Sequence, residues 1–140
     1  MKFRMLATLV FAGSTIVSSA ALAEVVTLKA ELSGKHEVPP HAGTAKGQAE
    51  GVLDTDTLTL TWNVTYEGLT GPAIGAHIHG PVSPGNNAGI LIPFPSTDSP
   101  ITGSQTITQD QSDDILNGMT YVNVHTQAHP GGEIRGQLEK

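Results

Sequence analysis

Thr57-Leu58-Thr59-Leu60-Thr61-Trp62-Asn63-Val64-Thr65-Tyr66 is the stretch that decides the fold class. Leu58, Leu60, Trp62, Val64 and Tyr66 occupy every second position, with threonines and Asn63 between them. A period of two is that of a strand with one buried face. Trp62, the single tryptophan, is expected to anchor the core rather than to form a ligand platform. Asn63-Val64-Thr65 matches a glycosylation sequon, which on a strand reads as a chance match.

The flanking segments repeat this logic. Upstream, Asp54-Thr55-Asp56 reads as a hairpin turn, preceded by a glycine-punctuated strand from about Thr44 to Leu53. Val26, Leu28, Ala30 and Leu32 alternate with Thr27, Lys29 and Glu31, giving another half-buried strand. An irregular stretch, Lys35-His36-Glu37-Val38-Pro39-Pro40-His41, joins the two and is stiffened by its prolines. Downstream, Gly68-Leu69-Thr70-Gly71-Pro72 turns the chain into Gly75-Ala76-His77-Ile78-His79-Gly80-Pro81, a strand with Ala76 and Ile78 on one face. A long Pro/Gly/Asn/Ser-rich loop follows, about 81–100, and a loop of that length is usually functional or a packed cap. Its run Gly89 to Phe94 is expected to hold a short strand. Ile101 to Thr108 supplies another strand, and Gln109 to Gly118 a short helix with acids in its first turn and Gly118 as its stop. Asp110, Asp113 and Asp114 lack the alternating spacing of a calcium loop and read as a solvated helix start. Tyr121 to Thr126 and Glu133 to Leu138 complete the strands, around a turn at Gln127 to Gly132. The pattern predicts an all-β fold, an antiparallel β-sandwich or partly closed Greek-key barrel with one short helix.

Residues 1–23 read as a signal peptide: Lys2 and Arg4, an apolar run from Leu6 to Val17 too short to span a membrane, then Ala21-Leu22-Ala23 as cleavage site. Residues 24–140 then form a single domain, exported to a periplasmic or extracellular setting, with no transmembrane segment. Its removal takes two basic residues and no acid, so the formal charge moves from −6 to −8. An acidic domain is a poor partner for nucleic acid or anionic lipid. The chain has no cysteine, which excludes disulfides, thiolate metal sites and cysteine catalysis. Only Met119 remains after cleavage, too few thioethers for a methionine-based Cu(I) carrier. All six histidines, by contrast, lie in the mature part.

Residues two apart on a strand share a face, so His77 and His79 project together, near a sheet end and within reach of solvent. On Tyr121-Val122-Asn123-Val124-His125-Thr126, Val122 and Val124 face the core while Tyr121, Asn123 and His125 face the other way. His77, His79 and His125 are therefore expected to converge on one ion. The competing reading makes each an ordinary surface or hydrogen-bonded histidine.

Four motifs carry a resemblance: Glu37-Val38-Pro39-Pro40, Ala76-His77-Ile78-His79-Gly80-Pro81, Tyr121 to Thr126, and Pro130-Gly131-Gly132-Glu133-Ile134-Arg135-Gly136-Gln137. Together they resemble the CHRD domain family, named after chordin and also found as small exported bacterial proteins. The resemblance spans nearly all of the mature chain and implies a β-rich extracytoplasmic domain, with little implied about activity. His36 stands where the family more often has another polar residue, and His129 lies in a variable turn; neither carries over as a family ligand. A looser similarity links the H-x-H strand and Val124-His125 to the copper-site strands of Cu/Zn superoxide dismutase. The zinc loop of that enzyme has no counterpart, so its chemistry does not carry over.

Three imidazoles without thiolate suit Cu(II) or Zn(II), Cu(II) standing higher in the divalent affinity order. Glu37 is expected to supply an oxygen or orient an imidazole, or else to pair with Arg135; His36 and His129 stand as further ligand candidates. Arg135 and Glu133 could also pair across strands on a solvated face. The function expected is an exported copper- or zinc-binding β-domain. The alternative is a structural or protein-interaction module of the cell envelope with incidental histidines. No Ser/His/Asp grouping, G-x-S-x-G or paired carboxylates argue for an enzyme.

Overall fold

The computed structural model describes residues 23–140; the segment expected to be a signal peptide, apart from Ala23, lies outside the described residues. Strand β1 is Val25–Ser33, followed by a 3-10 turn at Gly34–His36, β2 at Lys46–Asp54 and β3 at Thr59–Glu67. Next come β4 (Ala73–His79), β5 (Ile90–Pro93), β6 (Ile101–Thr106), helix α1 (Gln109–Leu116), β7 (Tyr121–Thr126) and β8 (Ile134–Gln137). All eight strands pair antiparallel in one curled sheet, in the order β5-β4-β7-β8-β1-β2-β3-β6. Among the described residues no helix is long and apolar enough to cross a membrane.

Chain length explains the curl. The two edge strands, β5 and β6, are consecutive in sequence and joined by residues 94–100. A flat eight-stranded sheet would be about 34 Å wide. Seven linking residues reach at most about 29 Å. The sheet must therefore bend toward closure, and Trp62 of β3 stacks on Phe94 of the linker at 4.8 Å across the bend. The alternating faces of β1, β2 and β3 point into this fold, so Leu28, Leu32, Leu53, Leu60 and Val64 are buried beside Ile78, Val122, Val124 and Ile134.

Local chemistry sets the element ends. Thr108 and Gln111 form a reciprocal capping box at the start of α1, and Gly118 (φ +69°) ends it. The Asp54 carboxylate accepts from the amides of Asp56 and Thr57, both at 2.9 Å. Leu58, expected to be the first core residue of its strand, belongs instead to this turn with φ +54°. The half-turn chemistry of Asp54 overrides the alternating pattern there.

The opposite face of β4, β7 and β8 departs from the sequence expectation. It is not solvated: every residue of β7 is buried, as are Glu37, Glu133 and Arg135. Two segments cover it, the stretch after β1 around Glu37 and the loop 81–89. They are tied to each other by Asn87 Nδ2 donating to the Val38 carbonyl at 2.8 Å. The sheet thus has an apolar core on one side and, over three strands, a small polar core on the other.

Candidate metal centre

Register builds the site. In the β4–β7 ladder, Gly75 lies opposite His125, His77 opposite Asn123, and His79 opposite Tyr121; Arg135 of β8 lies opposite Asn123. These residues share the polar face, with His77 in the row between the other two histidines. His77, His79 and His125 each present one ring nitrogen, and the three nitrogens lie within 4.8 Å of one another. The convergence expected from the alternation is present in the fold.

Two of the rings are fixed by backbone carbonyls. His79 Nδ1 lies 3.0 Å from the Ala88 carbonyl and His125 Nδ1 lies 3.0 Å from the Pro130 carbonyl. A carbonyl only accepts, so both Nδ1 atoms carry the proton and both Nε2 atoms present lone pairs. Those two Nε2 atoms face each other at 3.3 Å. Two lone pairs repel at that distance unless a proton or cation sits between them. Two imidazole nitrogens at about 2.0–2.1 Å from a tetrahedral ion are about 3.3–3.4 Å apart, so the pair could hold one such ion between them.

His77 differs from the other two. Its Nδ1 is buried with no hydrogen-bond partner, while the ring as a whole is only half-buried. Burial, then the neighbouring His125 and His79, bring its pKa down to about 4. Burial also lowers His79 and His125, against the raising effect of their carbonyl partners. All three are therefore neutral near pH 7, the form that ligates.

An outer layer holds the fixed rings. Tyr121 stacks on His79 at 5.0 Å and 5°, and its hydroxyl accepts from the Ala88 amide and donates to the Ala88 carbonyl. The Arg135 guanidinium lies 3.5 Å over the Tyr121 ring and donates to Asn87 Oδ1 at 2.9 Å and the Asn86 carbonyl at 2.6 Å. Arg135 thus clamps loop 81–89, which carries the carbonyl that orients His79. It forms no ion pair with Glu37 or Glu133; the only salt bridge among the described residues is the surface pair Lys46–Glu67. Glu133 instead accepts from the Thr70 amide and the Thr70 and Thr126 hydroxyls. Its buried carboxylate needs donors, and these lie closer than any cation.

The remaining candidates lie outside the cluster. Glu37 accepts from Asn123 Nδ2 at 2.6 Å, one residue removed from the imidazoles, and burial raises its pKa. His129 stacks on His41 at 4.3 Å. His36 is exposed, bonded to the Glu31 carbonyl, and lines a groove of about 1040 Å³ that runs over β1, β2 and β3 to Arg135 of β8 and contains none of the three clustered histidines. Tyr121 and Asn123 could be placed beside His125 from the alternation. The Ala88 and Pro130 carbonyls could not, because a backbone oxygen leaves no mark in the side-chain pattern.

A family model described as the CHRD domain matches residues 28–138 of the 140-residue chain. No curated protein and no solved structure matches it.

Proposed function

The chain belongs to the CHRD domain family, and on that premise we propose that it is an exported domain binding a copper or zinc ion through His77, His79 and His125. The observation that carries this reading is the pair of lone-pair nitrogens of His79 and His125, 3.3 Å apart, each with its tautomer fixed from behind. An anchored tautomer is what metal-ligating histidines characteristically have. Export is supported by the charge, apolar run and small-residue site of residues 1–23.

Spacing and affinity order point to different metals. The 3.3 Å separation suits a tetrahedral ion, whereas neighbouring positions on a tetragonal Cu(II) are about 2.8–3.0 Å apart. Closing that gap takes a small ring rotation, costing about 1 kcal/mol or less. That is under a decade in affinity, so the divalent order prevails and Cu(II) binds more tightly than Zn(II).

The test is titration calorimetry of the untagged domain, residues 24–140, with each metal. One ion per chain, with Cu(II) tighter and both lost in His79→Asn, is expected. No binding of either ion would overturn the proposal in favour of an envelope interaction module with incidental histidines.

A further inference from the structure

We infer that the three-histidine centre is an exchange site, taking up and surrendering its ion through His77, rather than a closed structural site. This rests on the metal-binding reading above. Structural sites of a four-coordinate ion are closed by four protein ligands, whereas open ones keep a position for an exogenous group. The cluster here contains three, and no fourth histidine, cysteine or carboxylate joins it among the described residues.

The three ligands are also unequal. His79 and His125 are held by carbonyls behind them, and moving either ring breaks a hydrogen bond in a buried place. His77 has no such partner and is the one of the three residues that is not fully buried. The set is looser than its fixed pair: the donors span up to 4.8 Å, while two donors on one ion can be at most about 4.2 Å apart. The ring free to close that difference is His77.

Gly75 gives it the room. A Cβ at this position would sit 3.0 Å from His77 Cε1, 3.3 Å from its Nε2 and 4.0 Å from His125 Cδ2. The backbone of Gly75 does not adopt the left-handed region, so the missing side chain serves the space beside the ring and not the turn geometry. An incoming ligand enters the fourth position from the His77 side, bonds to the ion, and His77 then swings away. The ion leaves with its charge unchanged and His77 regains a free lone pair.

The experiment loads the domain with one equivalent of Zn(II) and follows transfer to the chromogenic chelator 4-(2-pyridylazo)resorcinol by stopped flow. The release rate is expected to rise in proportion to chelator concentration. His77→Ala should hold the ion more weakly and release it faster. Gly75→Ala, which keeps all three ligands, should bind with unchanged stoichiometry and release more slowly. A rate independent of chelator concentration in the wild type, with Zn(II) bound one to one, would overturn the exchange inference alone, since the ion would then leave by a unimolecular step that no incoming ligand assists. Failure of Zn(II) to bind at all would overturn it together with the metal reading. The wild-type concentration dependence decides the matter even where a variant fails to fold.

Discussion

Replacing Arg135 by Met tests the outer layer without touching the histidine cluster. Arg135 is 2% exposed, and its guanidinium makes two charge-assisted hydrogen bonds and one stacking contact. Hydrogen bonds to a charged group contribute about 1.5–3 kcal/mol each. A desolvated cation over an aromatic ring adds about 2 kcal/mol. Two effects offset this gross loss: methionine avoids the several kcal/mol needed to desolvate the cation, and Asn86 and Asn87 are exposed, so water replaces their lost donors. The net cost should be about 2 kcal/mol. At a urea m-value of about 2 kcal/mol/M, the midpoint falls by about 1 M with m unchanged. Amide exchange at Ala88, whose N–H bonds to the Tyr121 hydroxyl, should quicken more than exchange in β1 or β2. A midpoint shift worth less than about 0.5 kcal/mol, with Ala88 still protected, would show that Arg135 does not hold the loop.

Other expectations are narrower. For the metal-free domain, all three clustered histidines have folded pKa values below their unfolded value, His77 at about 4. The unfolded chain therefore binds more protons, so their contribution is intact above pH about 6.5 and is lost as pH falls toward about 4. Chemical denaturation across that window should show it. Glu37 has the opposite sign: its raised pKa favours folding below about 4.5 and loses that benefit as pH rises through the folded value. Glu37→Gln keeps an acceptor for Asn123 and should match or exceed wild-type stability at neutral pH by calorimetry; a clear loss there would mean the carboxylate is needed charged. Stripping metal bound as proposed should lower the melting temperature through loss of a linkage free energy of about 2.7 kcal/mol at a hundredfold excess over Kd, and His125→Asn should abolish that difference. Gly132→Ala should cost more than 1 kcal/mol, because φ is +130° and the new Cβ would meet Asn123 and Glu37.

Much of the fold was legible because a period of two is hard to produce by chance over ten residues. Leu60, Trp62 and Val64 alternate without interruption and are all buried. The same pattern on Tyr121–Thr126 placed His125 on the face of His77 and His79, and the site follows from that placement. Alternation says which residues share a face but not what covers it. Tyr121, Asn123 and His125 face away from the core-side valines as the alternation predicts, yet each is buried beneath segments whose own sequence is irregular. The capping is written in Asn87, which ties one covering segment to the other, and in Arg135, which reaches the loop from the sheet. Neither pairing has a periodic signal.

The polar face explains why Asn123 stands in the middle of a buried strand. A buried polar side chain is tolerated only when its hydrogen bonds are made, and Asn123 donates to both Glu37 Oε1 and the Ile134 carbonyl. Through Glu37 it fixes the covering segment over the row that holds His77. Through the Ile134 carbonyl it ties its own side chain to β8, the strand that carries Arg135. One amide thus links the sheet to the first cover, as Arg135 links it to the second. The imidazoles are then enclosed by two segments anchored independently of any ion. With such anchoring, the carbonyl bonds hold the His79 and His125 rings against the repulsion of their facing lone pairs, and an ion bound as proposed would order little beyond the His77 ring. A ligand set preorganised in this way loses little affinity to ordering. The cost of assembling it falls instead on folding, in the desolvation of three neutral imidazoles and one carboxylate.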